Sequence, residues 1–591
     1  MTPTEPSTKQ QHQTLLRKAQ KSLRKIRRDA HQHRERHLEI LLKRYGLLDD
    51  SKMQQVIRRL IRAEATKRCY KKLRWITKPP KPGVTFVECT NQNGNTETLY
   101  DRTTVEEAIL RRNRRHFNQC AGTPFTIGEL RNLNWAADSA SADNILQGTT
   151  SIDHMSSDDL VRHVLRQCRQ TGQIISDHIS THDLQQLFKI WRESTTTSQS
   201  GRHLGIYRAI FLKGSPSDKH HTIDQDLTTM INILIQNGIG LDRWRNVTNM
   251  MIHKLDGSYN INKLRVIHLL EADYNGLIGI LFNRRVLYQA ERRNLLNNNQ
   301  WGGRPHRQAE DALMLKELTY NITNNINTTL ATFDNDATGC FDRVPCTVAM
   351  LSSRRLGATK NICRMQADTL QHINHTLRTA FGTSSASYTS SDECEIHGQG
   401  QGSRAGPPTW VFVSSLLLDC MEQLATGLHF TCPDRMIHHQ RTNDAFVDDV
   451  TGYTNQFVIE LEGKTVQEEV LRMMQRDATL WSHLLYISGG KLALHKCLYY
   501  LITWKWNNGV ATMKPANTIH PKIHLTDEQQ STPIRHLNGH QAHRTLGQFK
   551  APDGNQSSHL SYMQQKSTTW LVTIQQASLS RQEAEAAYKM N

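Results

Sequence analysis

Several features of other protein classes are missing from this sequence. No stretch approaches the roughly 20 consecutive apolar residues that a membrane-spanning helix needs, and the N-terminal residues MTPTEPSTKQQHQ lack the apolar core of a signal peptide. The 11 cysteines include no Cys-x-x-Cys pair, which argues against a zinc ribbon and a small disulfide scaffold. We therefore expect an intracellular protein, nuclear or cytoplasmic rather than secreted, with reduced thiols and no membrane partner.

Positive charge is what the sequence has in excess. Its 73 lysines and arginines outnumber 55 aspartates and glutamates, a net charge of +18 that favours a polyanionic partner. Residues 17–28 and 57–74 place apolar side chains at helical spacing under a basic face. These segments either follow a phosphate backbone, with an affinity that falls steeply with salt, or are ordinary solvated helix faces. The sequence leaves both interpretations open.

The N-terminal third is polar and mostly helical in pattern. Residues 1–13 are expected to be disordered, and residues 14–200 to form a basic helical extension. Within that extension, KPPKPG at 78–83 breaks the helix because proline cannot donate a backbone hydrogen bond. A β-hairpin with its tightest point at Asn93-Gly94 follows, and then a helix at about 104–117.

The rest of the chain alternates apolar helices with short β-runs from about residue 201 to 506, which predicts the best-packed region. Residues 507–559 are polar, with few apolar runs, and 560–588 are helical in pattern. Five histidines in the polar part lack cysteines at ligand spacing, so a metal site there is disfavoured. They are His520, His524, His536, His540 and His543.

Adjacent aspartates occur three times, and context separates the pairs. Asp49-Asp50 ends a helical pattern, and Asp158-Asp159 follows two serines, where acids favour a helix N-terminus. Asp448-Asp449 lies in DAFVDDVTGYT, which predicts a strand, a tight turn and a second strand with carboxylates at the turn. Aspartate also occurs in such turns for backbone reasons alone.

A second acidic segment, residues 328–345, reads as a β-run that ends in acids and turns into a helix. It offers Asp334, Asp336 and Asp342. Clustered carboxylates repel one another by roughly 1–4 kcal/mol per pair at about 4 Å. Divalent cations offset that cost, and oxygen ligands with open positions suit Mg²⁺. Acids at the ends of two adjacent strands would supply a two-metal site of the kind used in phosphoryl transfer.

These segments resemble motifs of the reverse transcriptase family, especially its non-LTR retrotransposon and group II intron branches. Asp336-Ala-Thr-Gly-Cys-Phe341-Asp342 is similar to the first palm motif, and Phe446-Val447-Asp448-Asp449 is similar to the aromatic-x-Asp-Asp box. Between them, Gln401-Gly402-Ser403-Arg-Ala-Gly406-Pro407 resembles the family's Gln-Gly-Ser-x-x-Ser-Pro motif, which opens a helix. Gly406 departs from it, since serine is usual there.

Further segments appear in the family's order. Lys263-Leu-Arg265-Val266 resembles the fingers motif, with Val266 in place of the usual proline. Gln300-Trp-Gly-Gly303-Arg304 resembles the segment before the palm, and Arg304 is expected to be structural. Residues 488–496 resemble the fourth palm motif, and YLITWKW at 500–506 is a candidate primer-grip strand. The resemblance covers residues 200–506, more than half of the chain.

The resemblance implies an α+β right-hand polymerase fold. Fingers and the start of the palm would occupy 201–335, and the palm, an antiparallel sheet packed on helices, would occupy 336–506. Residues 507–591 would form a thumb-like or connection region, truncated if the chain is a fragment. The implied activity is RNA-directed DNA polymerisation, a nucleotidyl transfer, with an RNA template, a DNA or RNA primer and dNTPs as partners.

The family also implies roles for individual residues. Asp336, Asp448 and Asp449 would hold two Mg²⁺ ions, with Mn²⁺ as the alternative, and Lys496 would donate a proton to pyrophosphate. Phe341 would be the steric gate that excludes a ribose 2′-hydroxyl, or else a simple core aromatic. The residues expected to contact nucleotide or template are Lys263, Arg265, Phe341, Gln401, Gly402 and Ser403. The alternative for Lys263, Arg265 and Lys496 is that each is a solvated surface charge.

Two other functions stay open on the sequence. An RNA-dependent RNA polymerase also has a palm, but usually carries Gly-Asp-Asp and a smaller residue where Phe341 stands. An inactive relative that only binds RNA is the other alternative, and the presence of all three metal-site acids argues mildly against it.

Overall fold

The computed structural model describes most of the chain beyond residue 82. The described residues are 83–576 without 91–93, 192–197, 203, 213–220, 255–257, 432–435, 457–464, 515–521 and 528–529, together with Arg36, Glu39, Ile40 and Gln55. The expected disorder at 1–13, both basic segments, the pair Asp49-Asp50 and His520 lie outside them.

Helices and strands both contribute to the fold, so its class is mixed α/β. The helices are α1 Arg102–Phe117, α2 Gly128–Arg131, α3 Ala140–Gln147, α4 Asp159–Gln167, α5 Thr181–Ile190, α6 Leu204–Leu212, α7 His221–Asn237, α8 Ala272–Ile278, α9 Tyr288–Arg292, α10 Ala309–Asn325, α11 Cys340–Arg343, α12 Cys346–Arg355, α13 Lys360–Gln371, α14 Gly406–Leu424, α15 Val466–Ile487 and α16 Ser557–Gln576. A π-helical stretch, Gly279–Leu287, joins α8 to α9, and short 3₁₀ turns occupy Pro124–Thr126, Asp242–Arg245 and Ile261–Lys263.

The strands follow the same chain order. They are β1 Val87–Thr90, β2 Thr96–Leu99, β3 Asn246–His253, β4 Leu264–Leu269, β5 Leu330–Asp336, β6 Asn374–Thr379, β7 Gly382–Tyr388, β8 Leu428–Thr431, β9 His438–Arg441, β10 Asn443–Phe446, β11 Asp449–Asn455, β12 Leu498–Asn507, β13 Val510–Lys514, β14 His524–Asp527, β15 Gln530–Pro533, β16 Arg535–Leu537, β17 His543–Thr545 and β18 Gln548–Lys550.

Local sequence signals explain several of these elements. The predicted hairpin is confirmed, because β1 pairs with β2 in antiparallel register around Gly94. The helix expected at 104–117 is also confirmed as α1, whose first turn is capped by the Asp101 carboxylate. Asp158 caps α4 in the same way, through the backbone N–H groups of Leu160 and Val161. The second Asp-Asp pair is therefore a helix cap.

The central sheet has the strand order β10-β11-β5-β12-β13, and β16 pairs with β12 in parallel. Alternation along β5 buries Ala331 and Phe333 in the main core on one face. Leu330 on the opposite face joins a smaller cluster with Tyr453 and Tyr500. Both faces are covered, which explains why β5 is buried almost throughout. β13 and β16 carry this sheet beyond residue 506, while the predicted domain boundaries stay a prediction.

A second sheet, ordered β4-β3-β6-β7, packs against α1. Val105, Ile109, Asn113 and Phe117 recur at helical spacing along α1 and are buried. This sheet and helix share a core with the β1–β2 hairpin, through Val87. The segment predicted as an N-terminal extension therefore contributes packed elements at its C-terminal end.

The chain divides into two units. One runs from Gly83 to Ser558 and contains both sheets. The other consists of residues 1–82 and 559–591, of which the structure describes the four isolated residues named above and the helix up to Gln576. Within the described residues, no helix has both the length and the apolar character to cross a bilayer.

Two histidines, His268 and His375, are buried side by side in the second sheet. His268 of β4 and His375 of β6 lie with ring centroids 5.1 Å apart, and both rings pack near Phe117. Burial lowers the pKa of His268 to about 4 and the pKa of His375 well below its usual range, so both rings are neutral in the folded protein.

We predict that His375→Phe reduces the loss of folding stability between pH 7 and pH 5. As pH falls below about 6.5, the unfolded chain binds protons on this ring and the folded chain does not, so stability is lost by about 2 kcal/mol per histidine between pH 7 and pH 5. Urea unfolding at both pH values measures the difference. The exposed His154→Phe should behave as wild type, and equal losses in wild type and His375→Phe would contradict the prediction.

Candidate functional site

The acids singled out in the sequence meet at the end of the central sheet. Asp336 is the last residue of β5, and Asp449 is the first residue of the antiparallel neighbour β11. The two are direct cross-strand partners, a position that places β-carbons about 4.5–5.5 Å apart. Asp448 stands beside them in the turn between β10 and β11. The predicted strand, turn and strand are confirmed, and three distant acids share one site.

The turn that carries Asp448 has a strained backbone. It has two residues between Phe446 and Asp449, and Val447 adopts a φ of 61°, which is unusual for a β-branched residue. The indole N–H of Trp410 in α14 donates to the carbonyl of Val447 at 2.7 Å. A helix buried on nearly every side thus holds the turn in place.

The segment that begins at Gln300 lies against the same turn. The N–H of Trp301 donates to the carbonyl of Ala445 at 2.7 Å. A β-carbon on Gly302 would overlap the backbone nitrogen of Val447 and lie 2.8 Å from the carbonyl carbon of Phe446, so only glycine fits there.

Arg304 anchors that segment from within the core. It is buried and donates to both oxygens of Glu291, at 2.8 and 3.0 Å, and to the carbonyl of Asn297 at 2.6 Å. With these partners its guanidinium has a structural role, as the sequence led us to expect.

Neighbouring carboxylates in the acid cluster repel one another, and this repulsion affects the pKa values of Asp448 and Asp449. Burial and the charge of Asp336 raise the pKa of Asp448. Partial desolvation and the charge of Asp448 raise the pKa of Asp449 to about 6, although much of its surface reaches solvent. The ammonium of Lys496 contacts Oδ2 of Asp336, and this hydrogen bond raises the pKa of Lys496. Lys496 therefore supplies counter-charge at the site.

The donor chemistry of this cluster fits Mg²⁺. Its three members offer carboxylate oxygens only, their mutual repulsion would be relieved by divalent charge, and Asp336 already binds a cationic group. Among the described residues, no group of three or more histidine, cysteine, aspartate or glutamate side chains is arranged to hold a metal ion. Metal binding would require Lys496 to leave Asp336 and the carboxylates to converge, and it stays a prediction.

The β3–β4 hairpin carries basic side chains, and one of them lies near the acids. Lys263, in the 3₁₀ turn before β4, and Arg265 of β4 are both exposed. Arg265 lies close enough to Asp448 to offset part of the rise in that group's pKa. Lys254, just after β3, was missed in the sequence. Its N–H donates to the carbonyl of Lys263 at 3.1 Å. Desolvation and the charges of Arg112 and Arg265 lower the pKa of Lys254.

The glycine-rich loop 397–402 packs on protein. Gln401 donates through Nε2 to Oδ2 of Asp342 at 2.9 Å. A β-carbon on Gly398 would lie 2.7 Å from the carbonyl oxygen of Asp342, and one on Gly402 would lie 2.5 Å from that of His268. Close protein packing therefore requires both glycines, while the expected contact of Gly402 with nucleotide or template stays a prediction. Ser403 is buried, and its hydroxyl accepts from the N–H of Ala405 at 3.2 Å.

Phe341 and Gly406 lie side by side at the start of α14. The Phe341 ring is half-buried, with its centroid 6.4 Å from that of Trp410. A β-carbon on Gly406 would sit 3.9 Å from the Phe341 ring and 3.5 Å from the carbonyl of Gly400. These are ordinary van der Waals distances, so the position has room for the serine that the motif usually carries.

A cavity of about 370 Å³ opens beside Asp336, Asp449 and Lys496. Its floor includes Lys316, which donates to Asp334 at 2.6 Å. The cavity is also lined by Arg535 of β16 and by the β17–β18 hairpin, through His543, Arg544, Thr545 and Leu546. The sequence predicted few elements in that region. Only the Leu-Gly pair at 546–547 marks that hairpin in the sequence, as a turn signal.

No protein-family model matches the chain, and neither does any curated protein. Any functional conclusion therefore depends on the chemistry of the residues themselves.

We predict that Gly302→Ala destabilises the protein by about 1–3 kcal/mol, because the added methyl group must displace the turn at Val447. Gly406→Ser is the matched control, with an expected change of less than about 0.5 kcal/mol because space is present. Chemical unfolding measures both. Equal effects of the two substitutions would contradict the packing described for Gly302.

We predict that Asp449→Asn stabilises the metal-free protein. The raised pKa of Asp449 means that its charge costs folding free energy above about pH 6, by about 0.5–1 kcal/mol after allowance for its exposure to solvent. Thermal unfolding in EDTA at pH 8 should show a higher midpoint in the variant, with the difference shrinking below about pH 6 and vanishing only below about pH 4, where the unfolded carboxyl is protonated as well. Added Mg²⁺ should raise the midpoint of the wild type more than that of Asp449→Asn. A lower midpoint for the variant in EDTA would refute the repulsion.

Proposed function

We propose that this chain is an RNA-directed DNA polymerase with a right-hand polymerase fold, which adds dNTPs to a primer 3′-hydroxyl on an RNA template. The observation that carries the proposal is the cross-strand pairing of Asp336 with Asp449 beside the strained turn at Asp448. Carboxylates gathered at a strand end would suit two-metal nucleotidyl transfer once they converge on the ions.

The surroundings of the acids support the proposal. The antiparallel sheet that carries them is covered on one face by the main helical core, as a palm would be. Arg265 of β4 lies near Asp448 and would belong to the fingers, and Phe341, half-buried beside Gly406, would serve as the steric gate. A net charge of +18 fits a nucleic-acid partner.

Asp336 and Asp448 would hold both Mg²⁺ ions, and Asp449 would complete the site. When bound, the two ions would favour the deprotonated primer hydroxyl and stabilise the charge that develops on the phosphate. The hydroxyl oxygen forms a bond to the α-phosphorus while the bond to the β-phosphate oxygen breaks, releasing pyrophosphate. Lys263, Arg265 and Lys254 would neutralise the triphosphate.

Lys496 would have two positions in this cycle. In the structure its ammonium neutralises Asp336. Displaced from that carboxylate, the ammonium would lie near the leaving pyrophosphate and could donate a proton to it. A lysine ammonium is protonated at neutral pH, which a proton donor requires, and the raised pKa of Lys496 belongs to the position in which it contacts Asp336.

The test is Mg²⁺-dependent extension of a DNA primer on an RNA template. Asp448→Ala should reduce the rate by about 10³-fold or more, because several kcal/mol of transition-state stabilisation are lost with the metal site. Affinity for RNA should change little, because the substitution removes an anion and takes away no positive charge that could pair with phosphate.

Asp159→Ala is the matched control, because Asp159 also belongs to an Asp-Asp pair but is exposed at a helix start. It should extend primers as the wild type does. Extension that survives Asp448→Ala would overturn the assignment of the site. Preference for rNTPs over dNTPs would instead favour an RNA-dependent RNA polymerase, and RNA binding without any extension would favour an inactive relative.

A further inference from the structure

A histidine from α1, outside every motif described above, contacts the candidate site. We propose that His116 is a positioning residue for nucleotide binding, which acts through Asp342 to hold the side chain of Gln401 and the loop beside Phe341. The inference rests on the proposed function and deepens it, since Gln401 and Phe341 are the residues expected to meet the nucleotide.

The geometry is a short chain of hydrogen bonds. Nε2 of His116 lies 3.0 Å from Oδ2 of Asp342, and Nε2 of Gln401 donates to the same oxygen at 2.9 Å. Because a carboxylate only accepts hydrogen bonds, Nε2 of His116 carries the hydrogen. Asp342 is almost fully buried and His116 is half-buried, so this charged group depends on protein partners rather than on water.

Helix α1 is held rigidly enough to act as a support. Its buried face packs in the core of the second sheet. At its last turn the carbonyl of Phe117 accepts from the N–H of His397 at 2.9 Å, which ties the helix to the start of the glycine-rich loop. The end of α1 therefore contacts the loop directly through backbone at residue 397, and it is linked to the side chain of residue 401 through the carboxylate of Asp342.

The other contacts of the loop show which part of the site depends on these hydrogen bonds. The N–H of Gln399 donates to the carbonyl of Phe341 at 2.8 Å, and the carbonyl of Gln401 accepts from the N–H of His268 at 2.7 Å. These bonds fix the backbone on both sides of Gly400. The orientation of the Gln401 amide depends on Asp342, because that carboxylate is the acceptor for its Nε2.

Loss of these hydrogen bonds is expected to affect nucleotide binding more than the chemical step. Asp342 lies on α11, and neither it nor His116 contacts Asp336, Asp448 or Asp449 by a hydrogen bond among the described residues. Loss of the His116 bond should free the amide of Gln401 while leaving the metal-site acids in place. Its main effect should therefore be on KM for the nucleotide rather than on kcat.

The experiment is steady-state extension with varied dNTP at saturating template and primer. His116→Ala should raise KM for dNTP about tenfold, the effect of losing one hydrogen bond to a charged group, with kcat reduced less than about threefold. His116→Gln should restore KM to within about threefold of wild type, because its amide Nε2 can donate from the position of the imidazole Nε2.

A double-mutant cycle tests the connection to Gln401. If His116 acts through Gln401, adding His116→Ala to Gln401→Ala should raise KM little further. His154→Ala, an exposed histidine in the same unit, is the control and should match wild type. Thermal unfolding of each variant identifies any that fail to fold, and for such a variant the comparison of His116→Gln with wild type decides.

Two results would overturn the inference: an unchanged KM in His116→Ala, whether or not kcat falls, or fully additive effects in the cycle. Failure of the proposed function is distinguishable, because the wild type itself would then not extend a primer. A wild type that extends, with a His116→Ala variant that extends identically, rejects the role of His116 alone.

Discussion

The pairing of β5 with β11 is the constraint on which the rest of the site depends. Its register sets Asp336 opposite Asp449 and Asp334 opposite Thr451, all on one face of the sheet. A slip of one residue would turn every side chain of one strand to the other face. The acids would then leave the cleft for the packed core, where burying unpaired carboxylates is costly. The hydrophobic alternation that puts Ala331 and Phe333 in that core thus also aligns the carboxylates.

That register places like charges together, and the molecule offsets the cost in several ways. Lys496 neutralises Asp336, while Lys316 and Thr451 bond to Asp334 just behind it. Asp448 and Asp449 keep raised pKa values even so. A site with residual repulsion in the absence of metal is what a cation-binding centre would need, since the same repulsion favours the bound state. The strained φ of Val447 adds to that cost and is maintained by Trp410 and the Gly302 segment.

Support for the site comes from elements distributed along the chain. Trp301 and Trp410 of α14 hydrogen-bond to the backbone at and just before the turn at Asp448, and α1 contacts the glycine-rich loop. The β17–β18 hairpin lines the cavity. These elements belong to one unit, from Gly83 to Ser558. Changes at positions outside the acid cluster, such as Gly302 or His116, are therefore expected to affect the site through the groups they hold.

The sequence by itself determined the local elements: the β1–β2 hairpin, the capped starts of α1 and α4, the two-residue turn at Asp448 and the strand that ends at Asp336. Each depends on neighbours a few residues away, so turn, cap and alternation signals suffice. The tertiary structure alone decided that Asp336 faces Asp449, that Lys254 joins Arg265, that His116 bonds Asp342 and that residues 543–546 line the cavity. Those partners are distant in the chain or outside any motif, and only packing of both sheets brings them together.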